Sequence, residues 1–264
     1  MAGKQRNKTA DKEDHSRAMV PDGTRVYAIG DIHGRLDLMD TLIGHIDDDR
    51  HEDPVKRNVL VFLGDYIDRG PASKQVLDRL AGPMPDGFET IFLKGNHEDL
   101  MLRFLAARKN DDIDVEGQNW LMNGGDEALE SYGIDIPDSL FGLAAADDIR
   151  RAQKEIRATI PKEHLSFLKK LRLNHIEGDF AFVHAGFKPA TPLDKQDEGD
   201  MMWIRDEFLT DTRLFDGHVA VHGHSIRQNP EIKHNRIGID TGAWHSHCLT
   251  ALALEGDEYW FLQT

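Results

Sequence analysis

A single cysteine, Cys248, stands in 264 residues, so no internal disulfide framework can form, and a reducing compartment such as the cytoplasm suits the chain. Long hydrophobic runs are also missing. The longest, Val59 to Leu63, is far too short to span a bilayer, so no membrane partner is expected. The first twenty residues, with Lys4, Arg6, Lys8, Asp11, Lys12, Glu13 and Asp14, hold no apolar stretch that could act as a secretory signal. They read as a disordered polar tail, 1–20, ahead of a single domain, 21–264. Positive charge is in deficit, with 32 Lys and Arg against 47 Asp and Glu and a net charge of −15. That balance argues against a long nucleic acid as partner, because binding one requires a basic stripe that releases counterions. It leaves room for a phosphoprotein or a small phosphorylated substrate, since divalent cations and a few arginines make a pocket locally positive. Neither an internal repeat nor a low-complexity tract is present.

The length suits one large α/β domain with a substantial core. Thr24 to Ile29, Asn58 to Leu63 and Glu89 to Leu93 read as buried strands. Between the first two, Leu36, Met39, Leu42, Ile43 and Ile46 recur at helical spacing. Between the second and third, Val76, Leu77 and Leu80 do the same, with Gly82 and Pro83 as a stop signal. This βαβαβ order predicts a parallel sheet with right-handed crossovers, followed by a helix over 98–109. Residues 110–176 break the pattern, opening on the polar stretch Asn110 to Gly117. Pro161 suits the first turn of a helix carrying Leu165, Leu168 and Leu171, and the segment reads as a mostly helical insertion over the sheet's rim. Further strands are expected near Phe180–His184, His218–His222, Arg236–Asp240, Leu249–Leu254 and Tyr259–Leu262, the last two joined by a turn at Gly256-Asp257.

Each of the first three strands runs into a glycine-flanked cluster of donors: Gly30-Asp31-Ile32-His33-Gly34, Gly64-Asp65-Tyr66-Ile67-Asp68-Arg69-Gly70 and Gly95-Asn96-His97-Glu98. Ligands collect outside the carboxyl ends of strands in α/β sheets, so donors from three successive ends can converge on one point. Mixed carboxylate, imidazole and amide donors suit Mn, Fe or Zn. Asp31 and His33, two residues apart in a turning backbone, can reach one cation. The two oxygens of Asp65 can bridge a pair.

These blocks resemble the signature of the phosphoprotein phosphatases within the calcineurin-like metallophosphoesterases. The likeness continues in Val183-His184-Ala185-Gly186, Met202-Trp203-Ile204-Arg205, His222-Gly223-His224 and Ile239-Asp240-Thr241-Gly242-Ala243. The resemblance implies a four-layer α/β/β/α sandwich. It also implies two divalent cations, manganese first among the candidates and iron or zinc next. Asp31, His33 and Asp65 would hold one, and Asp65, Asn96, His184 and His224 the other. Two such ions roughly 3.5–4 Å apart can share a water and generate hydroxide for in-line attack. No covalent nucleophile is then needed, and Cys248 has no Cys-x5-Arg loop around it. His222 belongs behind the ligands. Ile226 stands where nuclease-like relatives place a further histidine.

By the same resemblance His97 is the candidate general acid, with Asp68 orienting it and favouring its charged form. A further metal ligand or a structural hydrogen bond is the competing use of His97, and a salt bridge to Arg69 that of Asp68. Arg69 and Arg205 are expected to grip phosphate oxygens through their planar forks, although Asp206 or Glu207 could occupy Arg205 instead. Asp68 and Glu98 resemble serine/threonine protein phosphatases acting on phosphomonoesters. His184-Ala185-Gly186 and Asp240-Thr241-Gly242 resemble bis(5'-nucleosyl)-tetraphosphatases as well. Ser246-His247 stands where many bacterial relatives have Gly-Gly. A non-catalytic binding module would be expected to lack a ligand or the acid, and every expected position is filled.

Overall fold

The computed structural model describes residues 6–9, 17–137 and 144–264. Two sheets face each other. The six-stranded sheet runs in the order β1 (Asn7–Lys8), β11 (Glu258–Gln263), β10 (Thr250–Glu255), β2 (Thr24–Ile29), β3 (Arg57–Phe62) and β4 (Phe88–Phe92). The pairs β2–β3 and β3–β4 are parallel, as the crossover helices α1 (Leu36–Glu52) and α2 (Ser73–Leu80) require. The five-stranded sheet has the order β5 (Asn174–Glu177), β6 (Phe180–Val183), β7 (Val219–His222), β9 (Arg236–Gly238) and β8 (Glu231–Ile232).

Period-two alternation along the strands builds two cores at once. Val26, Ala28, Val59 and Val61 point between the sheets, where they meet Phe180, Phe182, Val219 and Val221. Tyr27, Ile29, Leu60 and Phe62 point the other way, beneath the helices. Behind the second sheet, Ala181, Val183 and Ala220 pack on Phe187, Met201 and Phe208, the last two from the short helices α8 (Glu198–Trp203) and α9 (Asp206–Thr210). The result is the expected α/β/β/α sandwich.

The helices of the 110–176 segment, α4 (Asn110–Leu121), α5 (Gly125–Ser131), α6 (Ala146–Thr159) and α7 (Lys162–Leu168), reach the loops at the strand ends, where Trp120 donates to Asp68, and they also extend into the core. They pack on α2 and on α3 (Asn96–Ala106), and Ile113, Trp120, Leu129, Ile149 and Ile156 enter the main core. The segment's last residues form the edge strand β5. One expectation needs correction, the disordered tail, for residues 6–9 and 17–20; residues 1–5 and 10–16 lie outside the described residues. Asn7 and Lys8 pair with β11, Ala18 and Val20 are buried between the sheets, and the Thr9 hydroxyl donates to the Ala18 carbonyl at 2.6 Å. Two small apolar residues and one edge pairing outweigh the charge pattern that suggested disorder. Among the described residues, no helix is long and apolar enough to cross a membrane.

Candidate metal centre

Five strand ends supply the site. Asp31 follows β2, Asp65 follows β3, Asn96 follows β4, His184 follows β6 and His224 follows β7. Getting so many side chains to one place requires unusual backbone. His33, Asp65, Asp68, Arg69 and His224 all have positive φ, from 46° to 72°, although none is glycine. Strain of this kind persists only where surrounding contacts over-determine it, and it gathers at functional sites. Two glycines make room. A Cβ at Gly95 would sit 2.1 Å from an Asp65 oxygen, and one at Gly223 would sit 2.0 Å from an Asp31 oxygen.

Around His184 Nε2 stand Asn96 Oδ1 at 2.9 Å, His224 Nδ1 at 3.2 Å and Asp65 Oδ2 at 3.3 Å. His33 Nε2 and His97 Nε2 approach the same Asp65 oxygen at 3.6 and 3.8 Å. The tautomers suit ligation. His33 Nδ1 donates to the Ile67 carbonyl at 2.9 Å and His184 Nδ1 to the Leu63 carbonyl at 3.0 Å. Each Nε2 therefore faces the cluster, the orientation that metal-binding histidines take. Asp31 lies against the His224 amide, which donates to it at 3.0 Å. His97, rather than Asp31, joins His33 and Asp65 as a compact donor group.

The charges are poorly balanced by protein alone. Burial, and then Asp240, push the Asp31 carboxyl well above its ordinary range. Burial acts on Asp65 in the same sense, but His184 and His97 overcome it and hold that carboxyl well below. His184 is carried up to about 9 against its burial, chiefly by Asp65. Burial takes His33 down to about 4 and His224 to about 2. Buried carboxylates persist when paired or when they coordinate a cation. The acceptors that draw a proton onto His184 are the donors a divalent ion would use, so the residues fit a metal.

His97 Nδ1 lies 2.7 Å from Asp68 Oδ2, and its Nε2 is buried without a hydrogen-bond partner among the described residues. Burial drives His97 well below the usual imidazole value despite Asp65, and drives Asp68 well above the carboxylate range despite bonds from Trp120. Asp68 therefore orients the ring, while the positive charge expected on His97 is opposed by burial. Asp68 makes no ion pair with Arg69. Its carboxylate takes the Trp120 indole N–H, at 3.0 and 2.9 Å from its two oxygens. Over the cluster opens a pocket of about 240 Å³ lined by Asp65, Asn96, Arg69, Arg205 and Arg227, among others. Arg205 lines it free of any ion pair to Asp206 or Glu207.

Residues 24–236 match the family described as calcineurin-like phosphoesterase. The chain belongs to that family. It is 31% identical over 253 residues to serine/threonine-protein phosphatase 1 of Salmonella typhimurium, covering 92% of this chain and 98% of the relative. It is 25% identical over 228 residues to serine/threonine-protein phosphatase 2 of Escherichia coli, covering 84% and 88%. An asymmetrical bis(5'-nucleosyl)-tetraphosphatase of Halalkalibacterium halodurans is 26% identical over 246 residues, covering 88% and 90%. The solved cold-active protein-tyrosine phosphatase of a psychrophilic Shewanella shares the fold, with a TM-score of 0.56 at 15% identity over 93% of this chain and 82% of that one.

The structural role of Glu98, and the parts played by Trp120 and Gly124, escaped the sequence reading. Glu98 accepts the backbone N–H groups of Asp65 and Gly95, both at 2.9 Å, and of Tyr66 at 2.8 Å, tying the second ligand loop to the third. Standing three residues after the N-cap Gly95, it supplies the glutamate half of a capping box, while Gly95 has no side chain to supply the other half. Burial, and then Asp65, push it up to about 7. Trp120 and Gly124 come from the insertion, and no local pattern marks them. Gly124 accepts the Arg69 N–H at 3.0 Å, so the insertion braces two consecutive left-handed residues.

Proposed function

We propose that this protein is a dinuclear-metal phosphomonoesterase, and that its substrates are phosphoserine or phosphothreonine groups of proteins. The convergence of Asp65 Oδ2, Asn96 Oδ1 and His224 Nδ1 on His184 Nε2 carries the reading. In it, Asp31, His33 and Asp65 hold one cation, and Asp65, Asn96, His184 and His224 hold the second, with manganese ahead of iron and zinc. The pair of cations supplies Lewis acidity and lowers the pKa of water. Arg69 and Arg205 orient the phosphoryl oxygens from the pocket wall. His97 Nε2 delivers the proton to the departing oxygen while Asp68, held by Trp120, fixes the ring.

The Asp68–His97 pair favours an alkyl monoester. A serine alkoxide is a poor leaving group and needs that proton, whereas a polyphosphate leaves with little help. A third arginine in the pocket, Arg227, favours the second reading, a bis(5'-nucleosyl)-tetraphosphatase, by offering charge for additional phosphates. The test is a comparison of kcat/KM for a phosphoserine peptide and for diadenosine tetraphosphate on metal-loaded protein. Faster turnover of the peptide is expected, and a clear preference for the dinucleotide would replace this reading with the second.

A further inference from the structure

Another cavity, of about 280 Å³, shares no lining residue with the pocket over the metal cluster. Leu105, Ile160 and Leu165 give it an apolar surface, and three cations, Arg108, Arg157 and Lys169, stand around it. The cations come from three separate places. Arg108 lies in the link between α3 and α4, Arg157 in the last turn of α6, and Lys169 at the C-cap of α7. A solvated helix face would carry its charges on one element. Helix α3 begins at Asn96 and ends beside this cavity, about 15 Å further along its axis.

The charge balance there runs against the rest of the chain. Acids outnumber bases 47 to 32. Yet no carboxylate lines the cavity, and none of its three cations makes an ion pair among the described residues. Arg157 is fixed in place, because its Nε and Nη2 donate to the Leu105 carbonyl at 3.0 and 2.6 Å and so cap the end of α3. Capping accounts for that residue alone and leaves Arg108 and Lys169 without a task. Partial burial, and then the charge of Arg108, hold Arg157 below its ordinary pKa, and no acid opposes them. Like charges gathered around an apolar hollow are stabilised by an anion seated among them.

We infer that this cavity binds a small amphipathic anion, a carboxylate carried on a short aliphatic chain. A guanidinium presents a planar fork that matches a carboxylate. The chain is covered by Leu105, Ile160 and Leu165. The volume is close to the lower end of small-molecule sites, roughly 300 Å³, which suits a compact ligand. The inference is independent of the proposed reaction, in which none of these residues takes part.

Calorimetry on the metal-loaded full chain tests it, with hexanoate, butanoate, 1-hexanol and hexylammonium as probes. Hexanoate should bind, and butanoate roughly four- to sixteenfold more weakly, since each buried methylene adds about two- to fourfold. 1-Hexanol, which lacks the charge, and hexylammonium, which reverses it, should bind roughly 10- to 100-fold more weakly than hexanoate. Arg108 and Lys169 are both exposed. The double variant Arg108→Gln, Lys169→Gln should therefore keep the parent's melting temperature and its turnover of p-nitrophenyl phosphate, while hexanoate binding weakens roughly tenfold. Hexanoate that binds the double variant as tightly as the parent is held elsewhere, the metal cluster included, and overturns the site. Equal affinity for hexanoate and 1-hexanol, or no measurable binding of hexanoate, overturns it as well.

Discussion

Replacing Trp120 by Phe isolates what the insertion contributes to the proposed chemistry. The ring is fully buried, tilted against Phe104 with centroids 5.4 Å apart, and its N–H is shared between the two Asp68 oxygens at 3.0 and 2.9 Å. Phenylalanine keeps the apolar contact but leaves the buried carboxylate without that donor. A hydrogen bond to a charged group contributes about 1.5–3 kcal/mol, which is the upper limit here because burial favours the neutral form of Asp68. If the whole loss falls on the orientation of His97, kcat drops roughly 10- to 100-fold. The smaller ring also lowers stability by ~1–2 kcal/mol through imperfect packing. Turnover should be measured on a phosphoserine peptide and on p-nitrophenyl phosphate, together with metal content and melting temperature. The peptide rate should suffer most, because p-nitrophenolate leaves without a proton. Equal losses on both substrates, or a parallel loss of metal, would refute the claim that Trp120 acts through Asp68 and His97.

Four other outcomes are expected. His97→Ala should retain both metals by elemental analysis while kcat on phosphoserine falls roughly 10²–10⁴-fold and much less on p-nitrophenyl phosphate; lost metal would mark His97 as the ligand its distance to Asp65 permits. Asp65→Asn should lose both cations and activity, since one carboxylate faces His33, His97 and His184 together. Deleting residues 1–20 should lower the melting temperature by about 5–10 °C in calorimetry, as the buried Ala18 and Val20 and the β1 pairing are lost; an unchanged value would restore the disordered-tail reading. His164, whose Nδ1 meets the Tyr132 hydroxyl at 2.7 Å and whose Nε2 meets Asp78 at 2.9 Å, is held below its ordinary 6.5 by burial despite Asp78. The unfolded chain therefore takes up a proton that the folded one refuses. This contribution is intact above pH 6.5 and is lost as pH falls toward the folded value, at no more than about 1.4 kcal/mol per pH unit. Denaturant midpoints of His164→Gln across that range should show a shallower acid slope than the parent.

Sequence alone determined the parts that are local. Strand, donor loop and helix follow one another along the chain, and Asp31, Asp65 and Asn96 each lie directly after a strand, so their convergence followed from the geometry of parallel sheets. Alternation divides β2 and β3 into two sets of side chains, but both sets are apolar, and the fold assigns each to its core. Only the tertiary structure could decide matters that depend on contacts between distant segments. Trp120 lies 52 residues from Asp68, and Arg35 lies 212 residues from His247, so no spacing along the chain relates them. The tail was misread because its charges lie in sequence, whereas the surface that receives it, β11, is built only after the chain has folded back on itself. Charge on the buried acid is of the same kind. A carboxylate beside His97 was legible, but the burial that opposes a charge on that ring arises from the whole fold.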